Sequence, residues 1–190
     1  MKRRQTFSFA GYNKTMKVER NEFKPTRNFP HEIGFYLAGI VDIRRQWRSV
    51  VEDLSKAELA TKILPDVQPI GTLIIHLAEA EYWWMQCIVE RREFSEDVKK
   101  MMHHDLWFDD FASKDLDVKY CLDVVEKVHA MTLETLSKFT DEDLEKFFTR
   151  DYDDKQKEFS LRWILHNLYD HEATHKGQIM LIKRLLRNTG

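Results

Sequence analysis

From Leu161 to about Arg187 the chain carries one glycine, no proline and an apolar stripe at helical spacing. With ~100° per residue and His171 at zero, Ile164 and Ile182 fall at about 20°, His175 at about 40°, and Leu168 and Leu186 at about 60°. A helix this long, capped by Ser160, buries its stripe only if other helices run along it. Three other segments qualify. The first runs from about Pro30 to Leu54, with Phe35, Leu37, Ile40, Trp47, Val50, Val51 and Leu54 apolar. The second spans about Ile70 to Glu90, and the third about Leu116 to Phe139, with Cys121, Val124, Val125, Val128, Thr132 and Leu136 on one stripe.

The connections are read from their turn and cap residues. Ser55 with Glu58 three later is a capping box, and LPDVQP is a two-proline loop. RREFSEDVKKMMHHDLWFDDFASKD is a polar connector. Thr140 caps a short helix to Phe148, and TRDYDDKQKEF is a charged loop. Only 6 glycines and 4 prolines in 190 residues favour such helices over a many-turned sandwich. One all-α domain is expected over 30–190. Residues 1–29 form a basic arm, with Lys2, Arg3, Arg4, Lys14, Lys17, Arg20, Lys24 and Arg27 against Glu19 and Glu22.

Several function classes are disfavoured. Lys plus Arg total 30 and Asp plus Glu 32, without the basic excess of a nucleic-acid binder. The most apolar run, IGTLIIHLAEAEYWWMQCIV, is interrupted by His76, Glu79 and Glu81, so no membrane span is expected. Cys87 and Cys121 form no close-spaced pair, and the basic start has no apolar stretch of a secretory signal. A cytoplasmic protein is expected.

The histidines carry the chemistry. His171 and His175 lie one turn apart inside the apolar stripe of the last helix. They are either core residues satisfied by hydrogen bonds or two ligands of one metal. His76 lies on the core-facing stripe of the second helix with Leu73, Ala80, Trp83 and Cys87, where it could complete a three-His site. His129 sits at the edge of its stripe. His31, His103, His104 and His166 are expected at the surface.

HEATH, residues 171–175, also fits the H-E-x-x-H pattern of zinc proteases. Those enzymes take a third ligand downstream, and KGQIMLIKRLLRNTG after His175 offers no Glu, Asp or His. Glu172 falls at about 100°, at the edge of the stripe, and is read as incidental to the two histidines. No Ser/His/Asp constellation or Gly-rich phosphate loop is present, and no catalytic residue is identified. Glu79 and Gln178 are placed to support a metal site or to serve as ordinary polar packing. Trp83 walls a pocket or belongs to the core.

GTLIIHLAEAEYWW, residues 71–84, and LHNLYDHEATHKGQI, residues 165–179, together resemble the DinB/YfiT-like family. The family carries H-L-A-E-A-E on its second helix and H-E-x-x-H-R-G-Q-I on its last. Gly177, Gln178 and Ile179 match; Lys176 replaces Arg, and Asn167 stands where a further His is frequent. SLRWI, residues 160–164, fits the start of the last helix. The likeness covers about residues 30–186.

It implies a four-helix bundle with a longer crossover connection, with His76, His171 and His175 as metal ligands. It also implies a homodimer. Family members include metal-dependent hydrolases and transferases that use low-molecular-weight thiols such as bacillithiol and mycothiol. The expected function is therefore a metal-dependent thiol S-transferase acting on a small electrophile, with Zn, Ni or Fe as cofactor. A hydrolase of small esters or amides and a non-enzymatic metal-binding stress protein are the alternatives.

Overall fold

The computed structural model describes residues 22–104 and 110–188, so most of the basic arm lies outside the described residues. Among these residues six α-helices are found: α1 (His31–Val51), α2 (Lys56–Ala60), α3 (Ile70–Tyr82), α4 (Glu96–Met102), α5 (Val118–Leu136) and α6 (Leu161–Asn188). A hairpin of β1 (Phe147–Asp151) and β2 (Gln156–Ser160) precedes α6. The four long helices form the bundle: α1 lies along α6, α6 on α3, and α3 on α5.

Local chemistry sets their ends. Ser55 and Glu58 form the expected capping box at α2. Asp117 caps α5 by accepting from the Tyr120 N–H at 2.7 Å. Pro30 has no side chain to cap α1, so the cap comes from 108 residues away. The Asp141 carboxylate accepts from the N–H groups of Glu32 at 3.0 Å and Ile33 at 3.1 Å. A negative group on orphan amides at a helix start stabilises that end and ties α1 to the segment before the hairpin.

The core divides into two apolar clusters. Ile43, Trp47 and Val51 of α1 meet Leu73, Ile74 and Leu77 of α3, Cys121, Val124, Val125 and Val128 of α5, and Ile179 and Ile182 of α6. Ile33, Leu37 and Ile40 of α1 meet Met85, Ile88, Leu136, Ile164, Leu165 and Leu168. A polar layer lies between the two clusters along the helices.

Three sequence expectations need correction. The second helix is α-helical only to Tyr82; Trp83–Val89 continues as a π-helix. The wider turn carries Trp84 onto Phe159 and Trp163, with ring centroids 5.1 and 5.3 Å away. The short helix from Thr140 is one 3-10 turn, Glu142–Glu145, before β1. The charged loop is mostly hairpin, in which Phe148 faces Phe159 across the ladder. Its apolar signal is one cross-strand pair, too little for alternation to show in the sequence.

The polar connector also contributes to the core through Met102 and Phe111. The Phe111 ring crosses α3 at Gly71, where a Cβ would stand 2.2 Å from it. Only glycine admits that approach.

Candidate metal centre

α3 and α6 bring His76, His171 and His175 together, as their inward placement anticipated. His76 Nε2 lies 3.1 Å from His171 Nε2, which lies 3.0 Å from His175 Nε2. One nitrogen from each ring falls within 4.8 Å of the others, a spacing that could hold one metal ion.

The protonation chemistry favours a shared cation. An imidazole nitrogen carries either one N–H or one in-plane lone pair. His171 Nε2 meets two neighbouring nitrogens, and one proton cannot satisfy both contacts. At the third ring, His175 Nδ1–H donates to Gln178 Oε1 at 2.6 Å, which leaves the Nε2 lone pair facing its neighbours. Two nitrogens each ~2.1 Å from one zinc ion would stand about 3.0–3.4 Å apart, so the donor type and spacing fit a divalent metal.

All three rings favour the neutral form that a metal requires. Burial and the positive charge that His175 would carry push His76 down to about 4. Burial, with His175 and His76 adding, pushes His171 down to about 3. Burial also lowers His175, against the hydrogen bond to Gln178.

Glu172 pairs with none of the three histidines, but it does not lie at the edge of the buried surface: it is 2% exposed and belongs to a buried network with Arg44 at 5% and Glu81 at 1%. Arg44 Nε donates to Glu172 Oε1 at 2.7 Å, and Arg44 Nη2 donates to Glu81 Oε2 at 2.6 Å and to Glu172 Oε1. Trp47 Nε1 donates to Glu172 Oε2 at 3.1 Å. His129, expected at a stripe edge, is buried and donates from Nδ1 to Glu81 Oε1 at 3.0 Å. Only Arg44 Nη1 in this network lacks an acceptor among the described residues.

Burial pushes the Glu81 carboxyl up, but Arg44 and His129 outweigh it and hold it down at about 2. The Glu172 carboxyl is raised, mainly by burial and further by Glu81. Because α6 is flanked by both α1 and α3, its buried arc is wider than the stripe and takes in Glu172. The available signal was on α1: Ile33, Leu37, Ile40, Arg44, Trp47 and Val51 follow helical spacing, with one cation mid-stripe.

A cavity of about 630 Å³ opens beside His76, walled by Glu79, Trp83, Trp84, Phe94, His104 and Arg150, among others. Glu79 Oε1 lies 3.3 Å from His104 Nδ1 at its rim. Trp83 thus walls a pocket. Cys87 also lines the cavity, and burial pushes its thiol up; burial pushes Cys121 up to about 12. His31 and His166 are exposed, as expected.

A helical bundle with a three-histidine cluster between its second and last long helices defines a DinB/YfiT-like protein. Within that class the chain belongs to the mycothiol-S-transferase family, whose model matches residues 37–188 and so spans all three histidines. A crystal structure of a conserved protein from Enterococcus faecalis has the same fold. Its TM-score is 0.65 at 16% identity, over 80% of this chain and 95% of that one. No curated protein matches the sequence. Among the described residues no helix is long and apolar enough to cross a membrane.

Proposed function

We propose that this chain is a thiol S-transferase in which His76, His171 and His175 hold one divalent metal ion, Zn, Ni or Fe. It would join a low-molecular-weight thiol to a small electrophile. The observation that carries the reading is the convergence of three imidazole nitrogens, with His76 also lining a cavity, in a chain of the mycothiol-S-transferase family. A divalent ion bound there would lower the pKa of a thiol or a water in an open position.

The chain's own residues do the rest. Burial disfavours the thiolate at both cysteines, so the reacting sulfur comes from a substrate. Trp83, Trp84 and Phe94 exclude water from one side of the cavity and pack an apolar electrophile. Glu79, against His104, is placed to accept the thiol proton and pass it to solvent. The sulfur forms a bond to the electrophilic carbon, and the leaving group departs with its electron pair. A cytoplasmic homodimer belongs to the same reading, and a solution mass of twice the chain checks the dimer.

The test uses metal-loaded protein, a panel of low-molecular-weight thiols and a halonitrobenzene. At least one thiol is expected to conjugate faster than with metal-free protein. No acceleration with any thiol rejects the transferase. Ester hydrolysis that needs the metal and no thiol assigns a hydrolase instead.

A further inference from the structure

The hairpin brings an arginine to the same cavity in an unusual setting. Arg150 Cζ lies 4.1 Å from the centre of the Trp83 ring and 4.3 Å from that of Tyr152. The guanidinium is therefore held against two aromatic rings, one from the π-helix and one from the hairpin turn. Among the described residues no side chain or carbonyl accepts a hydrogen bond from its nitrogens. The nearby Asp151 carboxylate instead accepts from Gln156 Nε2 at 2.6 Å. Among the described residues the Arg92 guanidinium, on the same cavity, makes one ion pair, a long 3.8 Å contact with Glu90, whose carboxylate is also bound by Lys138 at 3.0 Å.

Cation–π attraction to two rings restrains the guanidinium, whose N–H donors lie in its own plane. A planar fork held in this way matches a carboxylate bidentately, with part of the side-chain entropy already given up before binding. The Glu79 carboxylate, on the same cavity wall, stands against His104.

We propose that the cavity beside His76 takes a small organic carboxylate, gripped by the N–H edge of Arg150, with Arg92 as the second cation. The inference rests on the transferase reading only in taking this cavity as the seat of the small substrate. It makes Arg150 a specificity residue for a charged group remote from the reacting atom.

Calorimetric titration of the full-length protein with 4-nitrobenzoate and with 4-nitrobenzamide tests this, since the two differ in charge at one end. The wild type is expected to bind the carboxylate at least about tenfold more tightly, as a charge-assisted pair gives. Arg150→Gln should bring the ratio close to one and leave amide affinity unchanged. Arg150→Lys, which keeps the charge and loses the fork, should fall between them. Arg92→Gln should lower the ratio about twofold to threefold, as an exposed charge does.

Equal affinities in the wild type, or an unchanged ratio in Arg150→Gln, overturn the proposal. So does equal loss of both ligands in Arg150→Gln and Arg150→Lys, which would make Arg150 a clamp for the hairpin. Because binding is read without turnover, carboxylate selectivity in a protein that conjugates no thiol rejects the transferase and keeps the subsite. Conjugation without carboxylate selectivity does the reverse.

Discussion

α3 carries one histidine and α6 two toward one side, and each carries a glutamate toward the other; the two sides are built on opposite principles. On the interior side, Glu81 and Glu172 share Arg44, with Trp47 and His129 as further donors. Opposite charges and donors meet within the chain itself. On the other side, where His76 borders the cavity, His76, His171 and His175 present three bases of one kind to each other. Buried polar groups are expensive unless matched; the first set meets opposite charges, and the second is a cluster of like bases that could hold a metal ion. Composition alone does not distinguish a structural polar cluster from a functional one. What separates them is whether opposite charges or like bases meet.

The comparison is most sharply broken at Arg44. Arg44→Met strands two buried carboxylates and is expected to cost about 3–5 kcal/mol, lowering the thermal midpoint by roughly 10 °C or more. Urea unfolding measures this, and a loss under about 1 kcal/mol would show that the carboxylates do not depend on the arginine.

Glu172→Gln comes next. It keeps the shape, gives up a charge-assisted pair and is expected to lose about 1–3 kcal/mol. Metal stoichiometry should stay as in wild type, and activity should survive at temperatures where the variant is folded. An inactive variant that is folded and metal-loaded would restore Glu172 as the catalytic base of H-E-x-x-H.

The histidine side should behave oppositely, with a small effect on the metal-free fold. His171→Ala in chelator-treated protein is expected to change stability by less than about 1 kcal/mol, since it deletes a poorly matched polar group. The pH dependence follows from the lowered values of about 4 and 3 at His76 and His171. Folded, these rings stay neutral where an unfolded histidine, at about 6.5, takes a proton. The unfolded state therefore binds more protons below that pH. The stability they contribute is present above about 6.5 and is lost as pH falls toward 4. The thermal midpoint of metal-free protein should drop from pH 7 to pH 5, less so in a His76→Ala, His171→Ala double variant. An identical drop in both would remove these rings from the account.

Much of this was legible in the sequence, for reasons that differ by region. Ser160, followed by an uninterrupted apolar stripe, marks α6 correctly, and Ser55 with Glu58 marks α2. The three histidines were legible because each sits inside a stripe, where polarity needs an explanation. Arg44 carried the same signal, yet its partners lie on other helices, 37 and 128 residues away, and no local pattern names them. Glu172 was misplaced because a stripe drawn for one neighbour underestimates the buried arc of a helix with two. The hairpin escaped because its strands alternate charge and size with little apolar content, and Arg150 acquires its meaning only once β1 lies over Trp83.

The central claim is that the histidine cluster binds a metal while the glutamate network serves the fold. Metal content per chain, measured on wild type and His171→Ala after loading with zinc and exhaustive dialysis, tests this most directly. The account predicts one equivalent bound in the wild type and a loss to below about one tenth in the variant, with Glu172→Gln as wild type. A wild type that retains no metal, or a His171→Ala protein that retains as much as wild type, would contradict it.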